Sequence, residues 1–270
     1  MKKTRIIILL LCSCFTVVSF AQSDSSFSFL KTIKGNFSYF NVDNLDNIYL
    51  LNNNQLRKIT AAGDSVAVFN DVKKYGNPDY IDVTNPLKSL LYYKNYATII
   101  TLDRLLTVRN NINLRKSNIF YVNNIALSYD NNIWIFDEED FKLKKINEEG
   151  KIIFSSIDWR MLFDTVPAPV KIIDRNNLVY LYDPGKGFYI FDYYGTLMNR
   201  LAFLNWTNVE VTGNTMYGFS QDNLFSYELR SLQLKEYKLP AFFGKFTSIK
   251  AMNGKVYLLN EKGIDIYQIK

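Results

Sequence analysis

A short pattern recurs along this chain at intervals of about 40 residues. In each copy, a run of β-branched and aromatic residues follows a turn-forming Asn, Asp or Gly, and a second apolar run comes after a short polar gap. The first runs are NIYLLN (47–52), SLLYYK (89–94, the most degenerate), NIWIFD (132–137), LVYLYD (178–183), TMYGFS (215–220) and KVYLLN (255–260). The second runs begin at Gln55, Thr98, Lys142, Gly187, Asn223 and Gly263. Six copies of one strand-based unit indicate a repeat protein.

Each unit has room for four strands. A further run precedes each turn (38–42, 80–83, 124–129, 170–174, 208–212 and 247–252), and an outer run follows Gly63, Gly150 and Gly195 (65–69, 152–156 and 197–203). Asn, Asp and Gly tolerate the positive φ that tight hairpins need, so these positions mark links between antiparallel strands. The aromatic of the first run aligns as Tyr49, Leu91, Trp134, Tyr180, Tyr217 and Tyr257. The pattern predicts an all-β fold, a six-bladed β-propeller of four-stranded antiparallel blades.

The two ends of the chain are predicted to meet in one blade. The last unit stops at Lys270 after its third strand, so residues 27–33 (FSFLKTI) should complete it as an N-terminal closing strand. Closure removes the open sheet edges that invite aggregation. We therefore expect residues 22–270 to form a single β-propeller domain.

Two other fold classes fit the pattern poorly. No segment keeps apolar residues at i, i+3, i+4 and i+7 over three turns, which disfavours a helical protein. An outer-membrane barrel needs lipid-facing strands of about 9–11 residues. The runs here are shorter and carry Arg57, Lys58, Lys144 and Lys145.

The first 21 residues predict export. Lys2, Lys3 and Arg5 precede an apolar stretch (6–20), and Ser19-Phe20-Ala21 supplies small residues at a signal-peptidase site. We expect a signal peptide cleaved before Gln22, which places the protein in the periplasm or cell envelope, with no membrane span after cleavage. Lipoprotein processing at Cys14 is the alternative. Cys12 and Cys14 are the two cysteines of the sequence, so either route leaves no disulfide in the propeller.

Composition excludes several classes of enzyme. The chain has no histidine, so it holds neither a Ser-His-Asp or Cys-His triad nor a histidine zinc site. No GxSxG, P-loop or GxGxxG motif occurs. Removing 1–21 leaves 29 basic against 26 acidic residues, an ordinary balance that gives no reason to expect nucleic-acid binding. We expect no catalytic residue, no metal and no cofactor.

Two loops carry residues that invite a chemical interpretation. Asp137-Glu138-Glu139-Asp140 lies between the second and third strands of the third unit and is either solvated charge or a weak cation site. The stretch 182–187 (YDPGKG) looks like a phosphate loop, but no helix follows it. Its glycines predict a turn between strands.

The connections between units are the better candidates for binding. The connection 158–169 contains Trp159, Arg160, Met161 and Phe163, the connection 239–246 contains Phe242 and Phe243, and the connection 71–79 contains Tyr75. Aromatic side chains beside Arg or Lys are typical of protein-binding hot spots. The alternative is that these side chains fold back and cap the core. We expect connections and second-to-third-strand loops to share one face, the loop-rich face.

The Asp-x-x-x-Asn-Ile-Tyr stretch (43–49) and the turns at Gly63 and Gly150 resemble those of NHL-type six-bladed propellers, over essentially the whole mature chain. The resemblance implies a binding platform; a minority of such propellers are metal-dependent lactonases or lyases. In overall style the chain also resembles periplasmic accessory components of outer-membrane export machines, specifically the Plug-type subunits of the type 9 secretion translocon.

These observations favour a non-enzymatic, exported propeller that binds a protein partner, such as an outer-membrane complex. The alternatives are a Ca²⁺-dependent lactonase or lyase acting at the central channel, and a carbohydrate-binding propeller that uses tyrosines of the loop-rich face.

Overall fold

The computed structural model describes residues 26–52, 55–70 and 76–270. These residues form 24 strands in six four-stranded antiparallel sheets, which confirms the six-bladed propeller. The predicted signal peptide, the alternative lipidation site Cys14 and the candidate contact residue Tyr75 lie outside the described residues.

The strand bounds follow the repeat, with the innermost strand of each blade first. Blade 1 contains β2 (Tyr39–Val42), β3 (Ile48–Asn52), β4 (Gln55–Ile59) and β5 (Ser65–Phe69). Blade 2 contains β6 (Tyr80–Asn85), β7 (Lys88–Tyr93), β8 (Thr98–Asp103) and β9 (Val108–Asn113). Blade 3 contains β10 (Val122–Leu127), β11 (Ile133–Asp137), β12 (Lys142–Ile146) and β13 (Ile152–Ser155). Blade 4 contains β14 (Lys171–Arg175), β15 (Leu178–Asp183), β16 (Gly187–Phe191) and β17 (Leu197–Leu201). Blade 5 contains β18 (Thr207–Thr212), β19 (Thr215–Ser220), β20 (Asn223–Glu228) and β21 (Gln233–Lys238). Blade 6 contains β22 (Ser248–Met252), β23 (Lys255–Asn260), β24 (Gly263–Ile269) and, from the other end of the chain, β1 (Phe27–Lys34).

The predicted closure is confirmed. Strand β1 pairs antiparallel with β24, from Phe27 opposite Ile269 to Lys34 opposite Gly263. Gly263 has φ +135°, and a Cβ built there would lie 2.0 Å from the carbonyl oxygen of Ile33. Only glycine therefore lets the closing strand approach at this point.

Four short 3₁₀ turns occur between strands in the described residues: Lys94–Tyr96, Leu114–Ser117, Trp159–Met161 and Ala241–Phe243. None of the helical segments in that part of the chain is long or apolar enough to cross a membrane.

The turns use the predicted residues. Asn131, Asn176 and Asn253 all have positive φ at first-to-second-strand turns, as do Gly63 and Gly150 before outer strands. Blades 2 and 5 have no turn glycine before their outer strands, which follow positive-φ leucines instead, Leu106 (φ 58°) and Leu232 (φ 57°). The stretch 182–187 is the tight turn between β15 and β16, as expected.

The core consists of six apolar clusters, each formed by two neighbouring blades. The repeat aromatics face the next blade: Tyr49 packs toward blade 2, Trp134 toward blade 4 and Tyr257 toward blade 1. The innermost strands contact one another around a central axis in the order β22, β2, β6, β10, β14, β18, with β18 again next to β22. The ring is therefore closed by packing as well as by β1.

One alignment in the repeat was wrong by a residue. Leu91 packs toward blade 1, whereas Leu90 packs toward blade 3 and lies opposite Asp82, just as Tyr49 lies opposite Asn41. Leu90 is therefore the equivalent of Tyr49. Because side chains alternate between the two faces of a strand, a shift of one residue moves a side chain to the other interface.

Candidate functional site

The loop-rich face carries both the blade connections and the second-to-third-strand loops. In blade 4, the backbone N–H of Ala168 donates to the Asp183 carboxylate (2.9 Å), and the Lys186 ammonium donates to the carbonyl oxygen of Val166 (2.8 Å). Further along, the N–H of Asn205 donates to the carbonyl oxygen of Pro184 (2.8 Å). These bonds join the connections before and after blade 4 to the loop between its second and third strands. In this blade, the connections and the loop therefore form one continuous surface.

Trp159 anchors the connection between blades 3 and 4. Its side chain is fully buried (0 % exposed) and stacks on Phe191 at 5.0 Å, with Phe136 at 4.6 Å. The 3₁₀ turn that begins at Trp159 is capped by Asp158, whose carboxylate accepts from the N–H of Arg160 (2.9 Å). Of the two interpretations of Trp159, the structure shows the core-capping one. The side chain is not part of the exposed surface.

The same anchored turn presents the next residues to solvent. Met161 is 80 % exposed, Arg160 is exposed beside the ring of Phe141 (5.0 Å), and Phe163 is half-buried against Tyr189 (5.1 Å). The guanidinium of Arg160 lowers the pKa of Asp158 to about 2 by hydrogen bonding. The turn therefore displays an apolar side chain next to a fixed cation.

The connection between blades 5 and 6 repeats this division. Phe243 is buried between Phe27 (5.1 Å) and Tyr267 (4.5 Å), whereas Phe242 is 55 % exposed. Phe242 also lies 5.9 Å from Tyr267, so it rests on a fixed aromatic support. Phe243 therefore belongs to the core, which agrees with the interpretation that these side chains fold back and cap it. Phe242 belongs to the surface.

A fourth connection was not among the three that the sequence analysis selected. Phe120 and Tyr121, between blades 2 and 3, are exposed, and so is Tyr96 in the second-to-third-strand loop of blade 2. The pattern Asn118-Ile119-Phe120-Tyr121 offered the same signal as the connections that were chosen, since it places two aromatics just before an innermost strand.

The acidic cluster 137–140 is neither fully solvated nor a visible cation site. The Asp137 carboxylate is buried and accepts from the Lys144 ammonium at 2.7 Å, and Asp140 pairs with the same ammonium. The carboxylate of Glu138 accepts from the side-chain amide of Asn123. The Lys144 ammonium thus neutralises the two carboxylates that a bound cation would need. Within residues 26–52, 55–70 and 76–270, no group of three or more His, Cys, Asp or Glu is arranged to hold a metal.

The channel mouth on the loop-rich face holds a charged cluster that the sequence analysis did not single out. The Glu210 carboxylate of β18 accepts from the Lys250 ammonium of β22 at 2.9 Å, and the Lys171 ammonium of β14 lies 3.9 Å away. Lys171 also donates to the Tyr80 hydroxyl of β6 at 2.6 Å. Because blade 3 lies between blades 2 and 4 in the ring, this last bond joins two blades that are not neighbours.

Amide side chains extend the cluster around the ring. Asn41 of β2 accepts from the Lys250 ammonium and donates to the carbonyl oxygen of Ile81 (2.8 Å). Asn124 of β10 donates to the carbonyl oxygen of Val170 (2.8 Å). Every blade thereby makes at least one polar contact with another blade at the channel.

The charges in the channel stabilise one another. Burial alone would raise the pKa of Glu210, but Lys250 and Lys171 outweigh it and lower the pKa to about 2. Burial would also lower the pKa of Lys171, yet Tyr80 and Glu210 outweigh it, and the pKa is raised. Burial and the charge of Lys171 lower the pKa of Lys250, partly offset by Glu210. Glu210 is therefore ionised and neutralised by ammonium groups, which makes it a poor cation ligand.

Comparison with known proteins shows the fold alone. No family model matches this chain, and no curated protein matches it. Among solved structures, the β-propeller domain of Cps50 (Swd1) from Myceliophteria thermophila superposes with a TM-score of 0.60 at 9 % identity over 90 % of this chain and 100 % of that one. A catalytically inactive virginiamycin B lyase from Staphylococcus aureus with quinupristin gives a TM-score of 0.57 at 12 % identity over 90 % and 89 % of the two chains. The Pan2 WD40 domain from Neurospora crassa gives 0.55 at 8 % identity over 86 % and 81 %.

Proposed function

We propose that this protein is a non-enzymatic propeller of NHL type, exported to the periplasm or cell envelope, that binds a protein partner through its loop-rich face. The observation that supports this most is the exposure of Met161 and Phe242 on connections that are anchored by buried aromatics. A connection whose backbone is already fixed loses little backbone entropy when a partner covers it.

The opposite face supports binding less well. Most of its exposed large apolar residues, among them Leu45, Leu87, Tyr194 and Leu232, sit at the tips of separate turns. Tyr129 is the exception, since it stacks on Tyr193 at 4.9 Å, but the Lys145 ammonium over these two rings is buried. Single exposed apolar residues are ordinary on protein surfaces, whereas anchored aromatic clusters with an adjacent cation are typical of interfaces. On the loop-rich face, Arg160 supplies that cation.

The partner we propose is an envelope complex, with outer-membrane protein export as the process. The accessory role is the one that the resemblance to Plug-type subunits of the type 9 translocon implies. The predicted signal peptide supports this location. Because the charges in the channel pair with one another, we place the protein contact on the surrounding connections.

A metal-dependent lactonase- or lyase-type activity is less well supported. Acidic and amide side chains do meet at the channel mouth, but Lys171 and Lys250 neutralise Glu210 there. The Staphylococcus aureus lyase is inactive in a variant in which one histidine is replaced by alanine, and the present chain has no histidine.

Co-purification from envelope membranes in mild detergent tests the proposal. Tagged protein should retain its partner, and the double variant Met161→Ala with Phe242→Ala should lose it. The matched control is Tyr194→Ala with Leu232→Ala, which removes two exposed apolar side chains from the opposite face. Equal retention by both double variants, or no partner at all, would contradict the proposed binding face.

A further inference from the structure

The channel mouth is a cavity of about 370 Å³. This volume is at the lower end of the roughly 300–1,000 Å³ that small-molecule sites occupy. Tyr39, Tyr80, Asn124, Glu210 and Lys250 contribute to its lining, together with Lys171. The cavity is built from innermost strands and therefore lies on the rigid part of the fold.

Two buried acceptors in the lining have no donor among the described residues. Glu210 is 2 % exposed, and while one carboxylate oxygen accepts from Lys250, the other, Oε1, accepts from nothing. Asn124 is 7 % exposed, and while its amide nitrogen donates to Val170, its Oδ1 accepts from nothing. A buried acceptor without a donor is unfavourable, so both atoms favour a ligand that brings donors.

Hydrogen-bond donors remain available around the same cavity. An ammonium group carries three N–H bonds. Lys171 directs one to Tyr80 and lies 3.9 Å from Glu210, and Lys250 directs two to Glu210 and Asn41. The hydroxyl of Tyr80, which accepts from Lys171, keeps its own proton to donate. A ligand must therefore accept as well as donate within a few ångströms.

The charges around the cavity leave a small positive excess. Lys171, Lys250 and Arg175 act on the carboxylate of Glu210, and the buried carboxylate of Asp82 in β6 acts on both lysines. Three positive and two negative groups disfavour a cation, while the two acceptors that lack donors disfavour an anion. The half-buried rings of Tyr39 and Tyr80 add apolar surface.

We propose that the channel mouth binds a neutral, hydroxyl-rich small molecule, a mono- or disaccharide. Each hydroxyl of a sugar donates one hydrogen bond and accepts others, which matches a cavity lined by both acceptors and donors. Hydroxyls donate to Glu210 Oε1 and Asn124 Oδ1 and accept from Lys171, Lys250 or Tyr80. This site is separate from the proposed protein contacts at Met161 and Phe242.

Isothermal titration calorimetry of the mature protein with glucose, N-acetylglucosamine and cellobiose at millimolar concentrations tests the site. Glycine as a zwitterion and inorganic phosphate as an anion distinguish the other ligand classes. A neutral sugar should bind, and Asn124→Ala should weaken binding at least about fivefold, because a lost hydrogen bond to a buried acceptor is worth about 1 kcal/mol or more. Tyr80→Phe, which removes only a hydroxyl, should also weaken it.

Tyr194→Phe removes an exposed hydroxyl from the opposite face and should leave sugar affinity unchanged. Circular dichroism and thermal melting of each variant show whether it is folded, and Tyr80→Phe keeps the test valid if Asn124→Ala fails to fold. No heat with any of the three sugars would overturn the proposal. So would binding of glycine or phosphate alone, or sugar binding that both channel variants leave intact.

Discussion

The channel mouth and the connections around it lie on one face of the propeller but are built in opposite ways. In the channel, Lys171, Glu210 and Lys250 are charged groups largely withdrawn from water and held by one another. In the connections, apolar Met161 and Phe242 are held out in water by buried aromatic neighbours. The channel charges are stabilised by their ion pairs, and the connections by their buried aromatic residues. The exposed fraction of a side chain in a connection therefore shows whether it supports the fold or is available to a partner. Trp159 and Met161, two positions apart, belong to different categories.

The largest effect is expected at the aromatic support. Trp159→Ala should lower the free energy of unfolding by about 3–5 kcal/mol, because it empties a site packed by Phe191 and Phe136. Urea denaturation measures the change. Met161→Ala, in the same turn, is the control and should change stability by less than about 0.5 kcal/mol. A Trp159 variant as stable as that control would mean that the connection is not anchored in the core.

Breaking the channel ion cluster should come next. Glu210→Ala removes the carboxylate that pairs with two partly buried ammonium groups and should destabilise the fold by about 3 kcal/mol, at the lower end of values for broken buried pairs, because both lysines line a cavity. The measurement is again urea denaturation. Glu149→Ala, at an exposed turn, is the matched control and should be near neutral. Equal stability of the two variants would show that the cluster contributes nothing.

Acid should weaken the channel in a defined window. The pKa of Glu210 falls from 4.5 to about 2 on folding, so its stabilisation is complete above about pH 4.5 and is lost as the pH falls toward 2. Between about pH 6 and pH 3 this carboxylate should account for about 2 kcal/mol of lost stability. Glu210→Gln lacks this titration, so its stability should fall less than that of the wild type over the same range. Parallel pH profiles would contradict the assigned ionisation.

The smallest effect on stability is expected at the surface of the connections. Met161→Ala with Phe242→Ala should melt within a few degrees of the wild type, because both side chains are mainly exposed. Differential scanning calorimetry checks this. A large loss of stability would place these side chains in the supporting core and remove the basis for a separate binding surface.

The fold was predictable because its signals are local and repeated. Hairpin turns at Asn131, Asn176 and Asn253, and the closing strand at Phe27–Lys34, could be read from residue type and spacing. The one-residue error at Leu91 arose because this first run has no aromatic residue at the aligned position. Buried apolar residues occupy both faces of β7, so their pattern does not indicate the register. The outer strands β9 and β21 gave no glycine signal because leucines occupy the positive-φ positions.

The site was less predictable because it depends on which side chains meet. Within the connections, composition alone could not separate Trp159 and Phe243, which are buried, from Met161 and Phe242, which are exposed. The channel residues do show a sequence pattern: Glu210 lies between Val209 and Val211, and Lys250 lies between Ile249 and Ala251. A polar residue alternating with apolar ones in an innermost strand indicates a channel-facing position. That these two charges pair between the neighbouring strands β18 and β22 follows only from the folded ring.

Site-specific photo-crosslinking in intact cells tests the central claim most directly. A photoreactive amino acid placed at position 161 or 242, on the anchored connections, should capture a protein partner in the cell envelope, whereas one placed at position 194, on the opposite face, should not. Crosslinks from position 194 but not from 161 or 242 would contradict the claim that the loop-rich face binds the partner.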